Sequence, residues 1–198
     1  MSDKAFIAVA RAMADLLKTN SNGEFLVIDH EPFPGDAKDY IGKNRTVRVF
    51  YSGGKFDNHT RNRYDHTFEI NVEMCVTAEA ETDLTTLMDS NASQAQLAAA
   101  MASMRTSAGI ADKAFDELLG LVMDILGDPA NQWMGLEKYR VKGNDFMEIK
   151  KDRLLPFGEY AVLTGVLVVG IAVVETLETS VVCSPRDGDT LQFEGEEE

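Results

Sequence analysis

The chain has 198 residues, which is enough for one sizeable domain with its own core and too few for two full domains. Its 19 basic and 33 acidic residues give a net charge of −14, which argues against a protein that wraps nucleic acid by neutralising phosphates. The two cysteines, Cys75 and Cys183, lack the Cys-x-x-Cys spacing of a zinc or redox site and are too few for a disulfide scaffold, so a reducing compartment suits the protein.

The N-terminal segment predicts a helix over residues 3–18, because Phe6, Val9, Met13 and Leu17 recur at helical spacing. It opens directly into this amphipathic pattern without the features of a signal peptide, and we expect no export signal. A short apolar run over residues 24–29 then predicts a strand, and the Pro- and Gly-rich residues after it predict a loop.

The central segment contains the clearest strand pattern. Apolar and polar side chains alternate over residues 67–77, and a second strand is predicted at residues 46–51. The stretch between Tyr51 and Asp65 is polar and rich in turn residues, which predicts a mobile loop or arm. If the two strands pair antiparallel, Arg48 shares the polar face with Glu69 or Glu73.

Two helical patterns follow. Residues 90–105 are rich in Ala and Met and predict a surface helix or a partly disordered segment with a thin apolar face. Residues 115–126 predict a second core helix, which Gly127 and the following Pro129 terminate.

The end of the chain predicts a closing hairpin. Residues 139–150 alternate loosely, residues 155–158 form a turn, and the apolar run over residues 160–175 predicts a buried strand. This run is shorter than the roughly 20 residues of a membrane helix and is rich in β-branched side chains. We therefore expect no membrane association.

Together these elements predict an α+β fold, with a mainly antiparallel sheet packed against two helices. The expected domain covers residues 1–175 and includes an Ala/Met-rich insertion at about residues 90–110. Residues 176–198 are expected to form a C-terminal extension with an acidic tail.

The standard catalytic and phosphate-binding motifs do not occur in the sequence. His59 and His66 with Asp57 and Asp65 are the only cluster that could hold a metal, and their spacing matches no standard ligand pattern. We interpret them as loop residues, and we expect no catalytic residue, metal or cofactor.

Basic side chains are concentrated in one segment. Residues 41–64 hold six Lys and Arg against one Asp, a net of +5, so the rest of the chain sums to −19. A subunit that forms a head-to-tail ring could lay such a basic arm on an acidic surface of its neighbour. The candidate interface residues are Arg48, Lys55, Arg61, Arg63, Glu69 and Glu73.

Residues 46–54, the long polar segment after them and the alternating strand over residues 66–76 resemble the tail terminator proteins of long-tailed phages, the lambda minor tail protein U type. The N-terminal helix, the helix ending at Gly127 and the final apolar strand fit the same plan. The resemblance covers about two thirds of the chain and is one of element order and pattern. The stretch near residues 90–110 and the extension after residue 175 depart from the family's plan.

The resemblance implies a structural virion protein rather than an enzyme, assembled in the host cytoplasm. Such a protein forms a ring, commonly a hexamer, which caps the tail tube, stops its polymerisation and contacts the head connector. DNA passes through the lumen without specific binding, and Glu69 and Glu73 are candidate lumen residues because acidic walls do not retain phosphates. A related neck or tail-completion role is equally compatible with the pattern.

Two other classes of function remain open. An acidic protein could act as a DNA mimic that binds a nucleic-acid-binding enzyme through its carboxylates. A small enzyme could assemble a site from scattered residues such as Asp65, His66 and Cys75.

Overall fold

The structure is a computed structural model that describes residues 5–28, 45–60, 63–132, 134–136 and 140–176. Within these ranges the chain forms two helices and six strands, with short 3-10 turns at Leu84–Met88 and Pro129–Asn131. In chain order the main elements are α1 (Ala5–Asn20), β1 (Leu26–Ile28), β2 (Arg45–Thr60), β3 (Arg63–Glu79), α2 (Gln94–Gly127), β4 (Arg140–Lys151), β5 (Leu155–Phe157) and β6 (Tyr160–Thr176).

The six strands form one sheet in the order β1-β2-β3-β6-β4, and β5 pairs with the beginning of β6. Only the β1–β2 pair is parallel, and all other neighbours are antiparallel. This confirms the predicted α+β fold with a mainly antiparallel sheet and two helices. The predicted closing hairpin is also present, since β4 pairs with β6 and a turn at Gly158 (φ 57°) joins β5 to β6.

Both helices pack on the same face of the sheet, and the core lies between the helices and the sheet. The strands contribute every second residue to this face because successive side chains alternate. The largest fully buried side chains include Phe115 and Leu118 of α2, Met13 of α1 and Ile70 of β3. Phe115 packs against Gly165, where a Cβ atom would lie only 2.9 Å from its Cε2 atom. The absence of a side chain at this point of β6 allows the helix to approach the sheet.

An aromatic cluster fixes the start of α1 on the sheet. The Phe6 ring stacks on Tyr51 of β2 at 4.6 Å between centroids and meets Phe68 of β3 edge-on at 6.3 Å. At its other end α1 stops where Asn22 (φ 50°) and Gly23 (φ 81°) adopt left-handed backbone conformations.

The prediction of a loop between Tyr51 and Asp65 was wrong. β2 continues to Thr60 and β3 begins at Arg63, so this polar stretch forms a long antiparallel hairpin with register shifts near Tyr51 and Phe56. Gly54 permits the pairing, because a Cβ atom there would lie 2.8 Å from the Thr67 carbonyl oxygen. Backbone pairing between neighbouring strands outweighs the low apolar content of these residues. We call residues 53–60 and 63–67 the distal arm.

The surface helix predicted at residues 90–105 is present, and it continues without a break into the predicted core helix. Residues 94–127 form one continuous helix of 34 residues, about 51 Å long at 1.5 Å per residue. A capping box begins it, since the Ser93 Oγ accepts from the Gln96 N–H while the Gln96 side chain accepts from the Ser93 N–H. The first half packs through Met104 on a small second core of Ala80, Leu84 and Ala161.

Candidate interaction surface

The sheet face opposite the helices is covered by none of the helices and strands in the described ranges. On β3 it presents Glu69, Asn71, Glu73 and Cys75, which alternate with the buried residues of the helix side. Half-buried residues of β6, such as Val166 and Val168, lie beside them. We call this the open face.

Arg48 and Glu73 form an ion pair on the open face, and Glu73 is one of the two partners, with Glu69, that the strand pattern allowed. Arg48 and Glu73 are direct cross-strand partners, and the Arg48 Nη2 atom lies 2.6 Å from the Glu73 Oε2 atom. The guanidinium also lies 4.9 Å from the centroid of the Phe50 ring, and its Nε and Nη1 atoms are buried without a hydrogen-bond partner among the described residues. Only 15 % of the Arg48 side chain is exposed. Since each charge neutralises the other within one chain, this pair is first a stabilising contact of the subunit itself.

Glu69 lies further along β3 on the same face, between two glycines. Its register partners are Gly53 on β2 and Gly170 on β6, so no neighbouring side chain stands directly opposite it. The Ser52 hydroxyl donates to the Glu69 carbonyl oxygen at 3.0 Å. Glu69 and Glu73 thus form a row of carboxylates along β3, and Arg48 compensates only Glu73.

The remaining predicted interface residues lie on the distal arm or outside the described ranges. Lys55 is exposed on β2 opposite Thr67. Arg63 begins β3, with its side chain outside the described part, and Arg61 lies outside the described residues altogether. The structure therefore brings Arg48 and Glu73 together and places Lys55 at a separate part of the same face.

The predicted excess of basic charge at residues 41–64 is partly neutralised within the chain. Arg45 pairs with Glu117 of α2 and lies 4.0 Å from Glu24, and Arg48 pairs with Glu73. Two of the six basic residues thus hold elements of one subunit together. A contact between subunits would use the others.

The described residues include no group of three His, Cys, Asp or Glu side chains placed to hold a metal. His66 is 6 % exposed and its ring lies 5.3 Å from that of Phe68. The adjacent Asp65 points to the other face of the strand because side chains alternate. The side chains of Asp57 and His59 are outside the described part of the chain.

Cys75 is half-buried on the open face between Thr46 and Thr164. Burial raises the pKa of its thiol, Glu73 raises it further, and a hydrogen bond with Thr46 acts in the opposite direction. The thiol is therefore protonated near neutral pH and is a weak nucleophile. Cys183 lies outside the described residues.

Sequence reasoning missed the outer edge of the sheet, which β4 forms. The Lys151 ammonium lies 2.6 Å from Asp112 and 2.9 Å from Asp116, and these contacts raise the pKa of Lys151 and hold the end of β4 on α2. Large apolar side chains are exposed along this edge, namely Phe146, Met147, Ile149, Leu155 and Phe157. The signal in the sequence was the interleaving of apolar and charged residues from Asp145 to Lys151, which marks a strand exposed at an edge.

Comparison of the sequence with protein-family models and with curated proteins finds no match. Among the helices that the structure describes, none combines the length and the apolar composition needed to cross a membrane.

Proposed function

We propose that the protein is a structural component of a tailed phage, which forms a ring at the head-proximal end of the tail. In this role it terminates polymerisation of the tail tube and joins the tail to the head connector. The observation that supports the proposal most directly is the distal arm. It extends the strand pair on which the resemblance to tail terminators rests.

The reach of the arm suits a contact between neighbouring subunits. β2 and β3 continue past the aromatic contact of Tyr51 and Phe68, and β6 pairs with β3 as far as Arg63. Residues 53–60 alone span about 26 Å at about 3.3 Å per residue. A rigid strand extension of this length can cross a subunit boundary at a smaller cost in conformational entropy than a loop.

The charges are compatible with a ring through which DNA passes. Exposed carboxylates are present at the end of the sheet opposite to the arm, namely Glu79, Glu81 and Glu159, while the arm carries the exposed Lys55. A basic arm against an acidic neighbouring surface is a heterologous contact, which closes into a ring when the rotation between subunits allows it. The carboxylate row of Glu69 and Glu73 would not retain DNA phosphates if it faced the lumen.

The first test is the solution mass of the purified full chain by light scattering, with negative-stain images at several concentrations. We expect closed rings with a central pore, and we expect them to bind one end of tail tubes assembled from the tail-tube protein of the same virus. A strict monomer that does not bind tube ends would contradict the proposal.

A charge reversal tests the contribution of the arm. The double variant Lys55→Glu with Arg63→Glu should weaken ring formation, and more strongly at low salt than at high salt. The matched control is Arg11→Glu with Lys18→Glu, which reverses two exposed charges on α1. Equal assembly of both variants would exclude the arm from the contact.

A further inference from the structure

The outer edge of β4 is a surface that can accept another strand. β4 lies at one end of the sheet order, and no strand within the described ranges pairs with its outer side. The large apolar side chains of Phe146, Met147 and Ile149 are 39, 55 and 48 % exposed. An unpaired strand edge that also exposes apolar side chains favours pairing with another chain.

A bulge interrupts the alternation of β4. Phe146 is the partner of Val169 and Glu148 is the partner of Val168, so Met147 is an extra residue between them. Its sulfur lies 2.8 Å from the position that a Cβ atom of Gly170 would occupy, which places the Met147 side chain on the open face. Met147 and Glu148 therefore both face the same side of the sheet.

This bulge restricts which strand can pair with β4. Between residues 145 and 150, only Phe146 and Ile149 point to the side of the sheet that carries the helices, which we call the helix face. The other four side chains point to the open face. A regular partner strand alternates strictly, so its side chains would match those of β4 on one side of the bulge only. The order of faces reads the same in both directions from the point between Met147 and Glu148. An antiparallel second copy of β4 therefore matches it throughout.

We propose that β4 pairs with β4 of a second copy of this chain, around a two-fold axis that passes between Met147 and Glu148. In this register Asp145 of each copy stands opposite Lys150 of the other on the open face. Phe146 of each copy stands opposite Ile149 of the other on the helix face. The contact is self-complementary, as a two-fold contact has to be.

On either side of the axis the side chains in this register are complementary in charge and in polarity, and at the axis itself Met147 of each copy stands opposite Glu148 of the other. Two pairs of opposite charge flank the axis on one face, and two apolar pairs flank it on the other. The Lys150 ammonium already lies on the open face, 2.8 Å from the Glu148 carboxylate. Asp145 is exposed on the same face, so the opposite charges can meet without a change of backbone.

This inference does not rest on the proposed function. The contacts around a closed cyclic ring are heterologous, whereas the β4 contact is two-fold. It would join free subunits into dimers, or two rings to each other, and it uses the edge of the sheet opposite to that of β1.

The test is the monomer–dimer equilibrium of the full chain by analytical ultracentrifugation. Lys150→Asp places two like-charge pairs across the axis and should weaken dimerisation at least about tenfold. Asp145→Lys in the same chain should restore it, because the opposite charges then face each other again. Lys113→Asp is the matched control, since the Lys113 side chain is 82 % exposed on α2, and it should leave the equilibrium unchanged.

Three results would overturn the proposal. They are a wild-type chain that contains no two-fold contact at any concentration, a Lys150→Asp variant that associates as the wild type does, and a double variant that stays dissociated although its circular dichroism is native. Rings that persist in Lys150→Asp with unchanged mass would overturn the β4 contact alone and leave the ring proposal intact.

Discussion

Substitution of Gly165 by Ala would test the packing on which the whole core depends. Gly165 lies on β6, and the Phe115 ring of α2 packs directly against it on the side of the sheet that carries the helices. A Cβ atom there would lie 2.7 Å from the Lys150 carbonyl oxygen and 2.9 Å from the Phe115 Cε2 atom. Neither neighbour can move easily, because one is backbone of β4 and the other is a fully buried ring.

The expected loss of stability follows from two opposing terms. Overpacking a rigid site costs about 3 kcal/mol, at the upper end of the usual range. Replacing a strand glycine by alanine returns about 1 kcal/mol through the lower entropy of the unfolded chain. The net loss in the free energy of unfolding is about 2 kcal/mol, which lowers the urea midpoint by about 1 M for a slope of about 2 kcal/mol per M.

Urea unfolding at one fixed protein concentration measures this loss. Gly120→Ala is the control, because Gly120 lies on α2 with no heavy atom within 4 Å of the added Cβ atom, and it should stabilise by about 0.5–1 kcal/mol. In a Phe115→Leu background Gly165→Ala should cost less, since one of its two obstacles is gone. An unchanged or higher midpoint for Gly165→Ala alone would refute the seating of Phe115 on this glycine.

Two further predictions concern the start of α2 and the open face. Ser93→Ala removes the capping box and should destabilise the first turns of α2 by about 1 kcal/mol. Amide hydrogen exchange should become faster in these turns and stay unchanged in the sheet. Unchanged exchange in α2 would contradict a capped helix that begins at Gln94. Because burial raises the pKa of the Cys75 thiol, its alkylation by iodoacetamide should still increase with pH at pH 9, as measured by peptide mass spectrometry. A rate that levels off below pH 9 would contradict the burial of the thiol.

The sequence predicted those parts of the fold in which the apolar period is strong. Residues 115–126 and 67–77 have clear helical and alternating patterns, and both elements are present, although α2 begins much earlier, at Gln94, and β3 extends from Arg63 to Glu79. The pairing of Arg48 with Glu73 was one of two alternatives that alternation allowed, and only the register distinguishes Glu73 from Glu69.

The predictions were wrong where a segment was assigned from its own composition, without the strands or helices that pair or pack with it. The arm is polar and contains Gly53 and Gly54, which favours a loop, yet pairing with β6 on its inner side holds it as a strand. The helix near residues 90–105 was predicted correctly, but its continuity with the core helix was not, and its packing on Leu84 depends on a turn that the period of the helix does not reveal.

The candidate surfaces were only partly accessible from the sequence. Glu69 and Glu73 were assigned correctly to the polar side of a strand. Arg45 and Glu117, which form an ion pair, are 72 positions apart in the chain, and the sequence around neither residue indicates the pair. The bulge at Met147 likewise depends on the register between β4 and β6, which no single strand encodes.

The position of β6 in the sheet has a consequence for how the chain folds during synthesis. β6 is the last described strand, yet it lies in the interior, between β3 on one side and β4 and β5 on the other. Until residues 160–176 leave the ribosome, the inner side of β3 is an open row of backbone donors and acceptors, and the residues of α2 that pack on β6 have no partner there. Such late, long-range closure is slow and leaves nascent chains prone to aggregate. High local concentrations of unfinished chains are therefore the condition under which this fold is most vulnerable.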